Sequence, residues 1–351
     1  MSPTTSPRQI VPLRLEDVPE LGRFLAEGFH APPDAEFAAP DVLRWKYLEP
    51  WGVDDGPRSY LVHDDGRIIG HVGCAVTNWR VAGKPGAAAS TLHMMDWLGS
   101  PAHPGVGVSL LRQTHRRTET HYGLGGSLWA RRLDRASRYE VLGSVPVFQK
   151  VLRPGYRLRS TGGTGPTRRV LASARDLVRM VRQRGETPAR RIGLRRVETF
   201  GNEVEDVLGR VEPPLVFTDR RPSLLNAILR YPRTGLTGWL LEIEGQVVGF
   251  ALLALKSQGK ARVGKVVECF LTNGNPDLWH SSFDALANEL RDQGADVALA
   301  IGSVPRASTA LARAGFTHAH DLEFHLHDRA RTVPRDQPFH LTFLEADYAY
   351  T

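Results

Sequence analysis

The pattern of apolar positions divides the first 154 residues into short helices and strands. Apolar residues recur at helical spacing from Val18 to Phe29, behind the strand-like IVPLRL, and Asp41 can cap a second helix over DVLRWKYL. RSYLVHD and RIIGHVGCAV flank Asp65-Gly66, which predicts a β-hairpin. A strand, a glycine-rich loop, a helix, a strand, a helix and a last strand follow. This order predicts an α+β fold around one mixed sheet.

The second half of the chain repeats this pattern. SYLVHDDGRIIGHVGCAV (59–76) and WLLEIEGQVVGFALLAL (239–255) both follow the order strand, acidic-glycine turn, strand. Three matches in one order indicate a duplication. The other two matches are LRWKYLEP (43–50) with LLNAILRYP (224–232), and RYEVLGS (138–144) with ALARAGF (310–316).

The sequence therefore predicts two tandem domains, each a mixed, mostly antiparallel sheet flanked by helices. Residues 1–154 would form the first domain and 197–351 the second, with 155–196 as an Arg-rich connector. The Gly, Thr and Pro content of GYRLRSTGGTGPT, which follows Pro154, is typical of such a boundary.

Composition indicates a folded, water-soluble protein, with 41% hydrophobic and 24% charged residues. No apolar run approaches the roughly 20 residues that cross a bilayer, and the N-terminus lacks the features of a signal peptide. We expect a cytoplasmic location and no membrane partner. Cys74 and Cys269 lie in strand-like stretches without a CxxC partner, which predicts two buried thiols and no metal site.

The positive charge is concentrated in one segment. The net charge is +7, yet residues 168–196 contain ten arginines against Asp176 and Glu186. Leu177, Val178 and Val181 recur at helical spacing there, which predicts an amphipathic connecting helix with a basic outer face. That face is either simply solvated or binds an anionic partner such as tRNA, a polysaccharide or CoA phosphates.

The clearest candidate chemistry lies in MDWLGSPAHPGVGVSLL (95–111), which predicts a strand, a loop with two glycines, and a helix from about Val108. The first N–H groups of a helix have no internal acceptor, and the helix dipole adds partial positive charge. Glycines allow a diphosphate to approach the backbone closely. A Rossmann or P-loop motif does not fit, because Leu110 occupies the third glycine position and no GK[ST] follows.

These residues resemble the GCN5-related N-acetyltransferase family. The family loop [Q/R]-x-x-G-x-[G/A] matches residues 102–107, with Ala102 in place of Gln or Arg. The later family motif Y-x-x-x-G-F matches residues 139–144, with Ser144 in place of Phe. The resemblance covers about residues 8–154 with both motifs and about 195–328 as pattern alone.

The resemblance implies an enzyme that transfers an acyl group directly from acetyl-CoA, or another acyl-CoA, to an amine of a small molecule or carbohydrate. It implies Tyr139 as the general acid for the CoA thiolate and a backbone N–H near Trp97 as the oxyanion donor. The predicted cofactor contacts are Trp97, Leu98, Gly99, Pro104, Gly105, Val106, Gly107, Val108 and Ser109.

Two residues of the fourth strand are candidates for the general base. His93 and Asp96 are three apart, so on a regular strand they face opposite sides and only one can enter the site. Partial burial beside Trp97 is expected to raise the pKa of Asp96, as a base working near neutrality requires. Deprotonation through water, without a dedicated base, is the alternative.

The second copy lacks both motifs. Its loop region, LTNGNPDLWHSSFDAL (271–286), has no G-x-G, and Leu311 stands where the match places Tyr139. We expect this copy to serve substrate binding, dimerisation or scaffolding. Two other functions remain open: an aminoacyl-tRNA-dependent amide-forming transferase and a non-catalytic protein that binds acyl-CoA. The sequence leaves the oligomeric state undetermined.

Overall fold

The computed structural model describes residues 9–51, 56–161, 175–233 and 235–346. The first half contains β1 (Ile10–Pro12), α1 (Val18–Gly28), α2 (Pro40–Tyr47), β2 (Ser59–Asp64), β3 (Arg67–Val81), β4 (Ala89–Gly99), α3 (Val106–Thr114), β5 (Thr120–Leu124), α4 (Leu128–Ala136) and β6 (Glu140–Val151). The connector contributes α5 (Tyr156–Thr161) and a helix at residues 175–182, here α6. Residues 162–174 of the predicted connector lie outside the described residues.

The second half repeats the order of the first, with two short strands in addition. It contains β7 (Gly193–Val197), α7 (Asn202–Gly209), β8 (Val216–Thr218), α8 (Pro222–Leu229), β9 (Leu236–Ile243), β10 (Gln246–Gln258), β11 (Ala261–Leu271), α9 (Pro276–Asp292), β12 (Val297–Ile301), α10 (Pro305–Arg313), β13 (Thr317–Asp328) and β14 (Phe339–His340). The two additional strands are β8 and β14. The hairpins β2–β3 and β9–β10 turn at the two acidic-glycine pairs that the sequence analysis identified.

The described strands form one continuous mixed sheet. Its order is β1-β2-β3-β4-β5-β13-β6-β12-β11-β10-β9-β7. β8 pairs with the C-terminal end of β3, and β14 pairs with β8. β4 pairs parallel with β5, and β11 pairs parallel with β12, while most other pairs are antiparallel. The α+β architecture predicted from the apolar pattern is confirmed.

The two halves exchange one strand each. β13 of the second half pairs with β5, where Phe324 lies opposite Leu124. β6 of the first half pairs with β12, where Val147 lies opposite Ile301. β6 and β13 also pair with each other at the centre. Each half of the sheet is therefore completed by a strand from the other half, and the division at residues 154 and 197 remains a proposal about chain organisation.

The main hydrophobic core also spans both halves. Trp45 and Trp79 from the first half are fully buried in the same cluster as Phe250 and Phe270 from the second. The Trp45 indole N–H donates to the carbonyl of Ala227 at 2.9 Å across this junction. Burial of large aromatic rings is a major source of stability, so the two halves are expected to unfold together.

The structure corrects the register of the third repeat match. α4 and β6 correspond to α10 and β13 at one constant offset, so Arg138 (φ 66°) corresponds to Gly315 (φ 82°). The N–H of Tyr139 bonds to the carbonyl of Asp134 as the N–H of Phe316 bonds to that of Leu311. Pairing residues 138–144 with 310–316 is therefore wrong by five residues. The error arose because the left-handed residue that ends α4 is arginine, whereas Gly143 lies beside a bulge in β6.

The predicted connecting helix is present as α6, but its orientation differs from the prediction. Asp176 and Gln183 are buried, whereas Leu177, Val178 and Val181 are 52–62% exposed. Helical spacing reveals periodicity but not which face docks, and here the polar residues dock. The prediction of buried thiols is confirmed for Cys74 and Cys269.

Three histidine rings and the phenol of Tyr139 lie together near the exchanged strand β13. His115 after α3 stacks on His327 of β13 with ring centres 4.6 Å apart, and His121 of β5 lies 4.5 Å from His115. Burial lowers the pKa of His115 to about 4 and that of His121 to about 3, and burial also lowers the pKa of His327. These imidazoles are therefore neutral in the folded protein at neutral pH.

The cluster predicts acid sensitivity. An unfolded histidine takes up a proton near pH 6.5 and folded His115 only near pH 4, so stability falls as the pH drops through that window. In urea unfolding at pH 7, 6 and 5, the midpoint urea concentration should fall with the pH. In His115→Phe this midpoint should fall less. The exposed His320→Asn should leave the fall unchanged. A midpoint equally pH-dependent in His115→Phe would contradict this assignment.

Candidate active site

The predicted loop lies between the end of β4 and the start of α3. Gly105 is the N-cap of α3 with φ 88°, and no side chain caps this helix end. A Cβ at residue 105 would meet open space, but the left-handed backbone there favours glycine. At Gly99 a Cβ would come within 3.1 Å of the Gly107 nitrogen, so the absence of a side chain lets the loop pack against β4.

Some backbone N–H groups of the loop donate within the loop, and others do not. The N–H of Val106 donates to the carbonyl of His103 at 3.4 Å, and the N–H of Ser109 donates to the carbonyl of Gly105 at 3.0 Å. The N–H groups of Gly107 and Val108 find no acceptor among the residues that the structure describes. These two main-chain donors at the positive end of α3 are therefore left for an anion.

Side chains hold the loop in place. His103 contacts the Ser100 hydroxyl through Nδ1 at 3.2 Å and Asp64 through Nε2 at 3.1 Å, which ties the loop to the β2–β3 hairpin. The Trp97 indole N–H donates to the carbonyl of Gly107 at 3.1 Å. The loop is thus preformed, although Ala102 offers no side chain comparable to the Gln or Arg of the resembled family.

The remaining predicted cofactor contacts have side chains that pack within the protein, bond to the loop or face solvent. The side chain of Leu98 packs against the α1 cluster, and that of Val106 is buried under β3. Pro104 is exposed on the loop, and the Ser109 hydroxyl donates back to the Gly105 carbonyl at 3.1 Å. These residues would contribute backbone or shape to a bound ligand.

The corresponding helix end in the second half is capped. The Asn275 side chain accepts from the N–H of Asp277 at 2.9 Å and from that of Leu278 at 3.3 Å. The Trp279 indole donates to the carbonyl of Asn273 at 2.9 Å. The donors that a diphosphate would need at α9 are therefore already satisfied by the chain itself.

β4 and β5 begin as neighbours and then separate. Their parallel pairing runs from Thr91 opposite Thr120 to His93 opposite Tyr122. β4 then continues to Gly99, while β5 takes β13 as its partner on the other edge. Beyond these pairs Leu124 bridges to Ala346 and not to β4. We call this unpaired stretch, which lies beside the loop at residues 99–108, the opening; His93 lies where it starts.

A β-bulge interrupts β4 where this opening begins. Asp96 has φ 46°, which is uncommon for a residue with a side chain. His71 Nδ1–H donates to the Asp96 carbonyl at 2.8 Å, and the Ser59 hydroxyl donates to His71 Nε2 at 2.9 Å. The tautomer follows because a carbonyl oxygen can only accept. Since C=O and N–H point opposite ways in a trans peptide, this bond directs the Trp97 N–H away from β3.

The Asp96 carboxylate is held by α2. Lys46 Nζ lies 2.7 Å from Asp96 Oδ2, both side chains are buried, and the Tyr47 hydroxyl donates to the same oxygen. Burial would raise the pKa of Asp96, but the charge of Lys46 and the two hydrogen bonds outweigh it and lower the pKa. The expected upward shift is therefore wrong, and Asp96 is a poor general base. Burial lowers the pKa of His71 to about 4.

The expectation that His93 and Asp96 face opposite sides is also wrong. Two residues of β4 lie opposite one residue of β3 between Met95 and Leu98, so the bulge breaks the alternation. His93 shares its face with Met95, and Met95 packs with the α2 residues near which Asp96 lies. His93 is 3% exposed and stacks on Tyr122 with ring centres 4.8 Å apart.

Tyr139 is buried beside the three histidine rings. It lies at the C-terminal end of α3, where its hydroxyl is 3.4 Å from His115 Nε2, and it is 5% exposed. Burial, and then the charge of Asp134, raises the pKa of Tyr139 well above its ordinary value. With the register corrected, Tyr139 occupies the Phe position of the family motif, and Asp134 occupies the Tyr position.

Sequence reasoning missed Lys46, His71 and Ser59. The available signals were a lysine between aromatic residues in α2 and a histidine in an apolar strand. The second half has a comparable group: Glu268, three residues before the end of β11, lies 2.5 Å from Arg220 Nε. A buried acid paired with a buried cation thus occurs beside the bulge in both halves.

A sheet whose fourth and fifth strands run parallel and then separate, repeated along one chain, defines the tandem GCN5-related N-acetyltransferase fold. Solved structures confirm this predicted resemblance. A GCN5-related N-acetyltransferase from Anabaena variabilis is similar with a TM-score of 0.58 and 13% identity, over 91% of this chain and 72% of that chain. N-myristoyltransferase from Saccharomyces cerevisiae with bound myristoyl-CoA and inhibitors has a TM-score of 0.62 and 12% identity, over 96% and 85%.

A conserved protein of unknown function from Enterococcus faecalis, described as a probable N-acyltransferase, has a TM-score of 0.53 and 10% identity, over 92% and 72% of the two chains. At these identities the similarity establishes the fold. No family model matches the chain, and no curated protein matches its sequence.

The buried pair at the bulge yields a stability prediction. Lys46→Met should destabilise the protein by about 3–5 kcal/mol, because it leaves the Asp96 carboxylate buried without a cation. Adding Asp96→Asn should recover most of the loss, since asparagine tolerates a left-handed backbone. Urea unfolding measures both changes. The exposed ion pair of Arg233 with Asp41 supplies the control, as Arg233→Met should cost under about 1 kcal/mol. Equal losses in the two single variants would refute the argument.

Proposed function

We propose that the protein is an acyl-CoA-dependent N-acyltransferase whose donor binds in the first half. The observation that carries this proposal is the uncapped N-terminus of α3, where Gly107 and Val108 present main-chain donors beside the β4–β5 opening. The fold similarity to N-acetyltransferases and to a myristoyl-CoA complex supports the same class of donor. The acyl group itself remains open between acetyl and longer chains.

The reaction would use the backbone that the bulge orients. The donor diphosphate would lie at the N–H groups of residues 107 and 108, with the thioester reaching into the opening. The thioester oxygen would accept from the Trp97 N–H as charge develops on it. The attacking amine forms the new C–N bond, the C–S bond breaks, and the thiolate leaves with its electron pair. Asp96, Lys46 and His71 would position the Trp97 amide without touching the reacting atoms.

We assign the general-base role to His93. Asp96 is engaged by Lys46, and both ring nitrogens of His71 are engaged, whereas His93 lies at the narrow end of the opening. Its imidazole would accept the amine proton as the C–N bond forms. We assign no acid role to Tyr139, because its motif support depended on a register that the structure corrects.

The acceptor that we propose is the amine of a small molecule or carbohydrate. A peptide amine is the competing acceptor, charged tRNA is the competing donor, and acyl-CoA binding without turnover would indicate the scaffold function. Thiol release assayed with each acceptor class, beside amide formation from charged tRNA without CoA, distinguishes these outcomes. Release of CoA only with peptides would overturn the acceptor proposal while leaving the donor site standing, and amide formation from charged tRNA with no release of CoA would overturn the donor proposal.

The loop predicts a specific defect in donor binding. Gly105→Val should weaken acyl-CoA affinity at least about thirtyfold in calorimetric titration, because a β-branched residue disfavours the left-handed backbone that aims the α3 amides. Gly86 also has a left-handed backbone (φ 79°) with open space around it, so Gly86→Val is the matched control. Undiminished affinity in Gly105→Val, or an equal loss in Gly86→Val, would exclude this site.

The base assignment predicts a loss of turnover with donor binding intact. His93→Asn should lower kcat/KM by about 100-fold, with acyl-CoA affinity unchanged. Tyr139→Phe is the companion variant, and its turnover should stay within about threefold of the parent. If Tyr139→Phe lost turnover while His93→Asn kept it, Tyr139 would have the catalytic role and His93 would have none.

A further inference from the structure

The connector helix α6 has an unusual orientation for a surface helix. Surface helices normally bury their apolar stripe and expose their polar face. α6 does the opposite: Leu177, Val178 and Val181 are 52%, 53% and 62% exposed, while Asp176 and Gln183, the residue that directly follows the helix, are buried. An exposed aliphatic ridge on a docked helix indicates a surface that meets a partner.

Polar contacts hold α6 in this orientation. Gln183 Oε1 accepts from the N–H of Val151 at 2.8 Å at the end of β6. Gln183 Nε2 donates to the carbonyl of Gln149 at 3.0 Å and to the Thr317 hydroxyl at 2.9 Å. One side chain therefore joins α6 to the exchanged strands β6 and β13. The outward direction of the aliphatic ridge follows from this anchor.

Arginines surround the ridge. Arg175, Arg182 and Arg184 are exposed, and Arg179 is half-buried. The two acidic residues of this segment do not offset them at the surface, because Asp176 is buried and Glu186 pairs with Arg313 at 2.7 Å. The exposed face of α6 is thus aliphatic at its centre and cationic at its rim.

We propose that α6 docks the protein on an anionic lipid surface. Aliphatic side chains would enter the boundary between headgroups and acyl chains, and the arginines would pair with lipid phosphates or carboxylates. A second copy of the chain is a poorer occupant, because a two-fold contact would bring two strongly basic segments together. Nucleic acid would pair with the arginines but leave the aliphatic ridge unused.

This proposal revises the expectation of no membrane partner, which rested on the lack of a spanning segment. Within the part of the chain that the structure describes, no helix is long and apolar enough to cross a membrane. Docking by α6 requires none, since such a helix lies along the surface. The proposal is independent of the transferase activity.

Sedimentation of the full chain with vesicles tests it. We expect binding to phosphatidylcholine vesicles that contain phosphatidylserine, and at least about tenfold weaker binding to pure phosphatidylcholine. Leu177→Ser with Val181→Ser should weaken binding to the anionic vesicles at least about tenfold. Arg179→Gln with Arg182→Gln should do so as well and should flatten the salt dependence. Leu15, which is 61% exposed outside α6, provides the control Leu15→Ser, with binding unchanged.

Three results would overturn the proposal. The first is that the parent protein does not bind anionic vesicles. The second is that the double serine variant and the double glutamine variant bind these vesicles as tightly as the parent. The third is a dimer in analytical ultracentrifugation that Leu177→Ser with Val181→Ser dissociates, since the ridge would then be a contact between copies. Circular dichroism and acyl-CoA titration of the same variants show that the fold and the donor site are intact.

Discussion

The exchange of β6 and β13 between the halves is the constraint on which the rest of the structure depends. Because β13 pairs with β5 from Thr120 to Leu124, β5 keeps a full ladder on one edge although its pairing with β4 stops at Tyr122. The opening that would admit a thioester is therefore supported by the second half. This gives a physical reason for a second copy whose own helix end is capped: it completes the sheet of the first.

The two copies differ most clearly at one helix terminus. The N-cap residue of α3 is Gly105, which has no side chain to cap the helix, whereas Asn275 caps α9 with its side-chain oxygen. The bulge beside each helix keeps a buried acid, Asp96 or Glu268, with a buried cation. Duplication has thus preserved the groups that shape the strand and changed the residue that decides whether the amides remain available to a ligand.

The sequence was informative where the signal is local. Alternation, turn glycines and the spacing of Gly105 and Gly107 predicted the hairpins, the duplication and the loop. Long-range pairings were not predictable: nothing in the sequence of β6 or β13 indicates that they exchange, and helical spacing did not indicate that α6 docks through Gln183. The motif match at Tyr139 was out of register for a specific reason: Arg138 adopts the left-handed backbone that the match assigned to Gly143.

Hydrogen–deuterium exchange with and without CoA tests the central claim most directly, because it reports on the backbone amides themselves. Our account predicts that CoA slows exchange in the first turn of α3, at residues 106–109, and leaves the amides in the first turn of α9, at residues 277–279, unchanged. Protection at α9, or saturating CoA with no protection at α3, would contradict it.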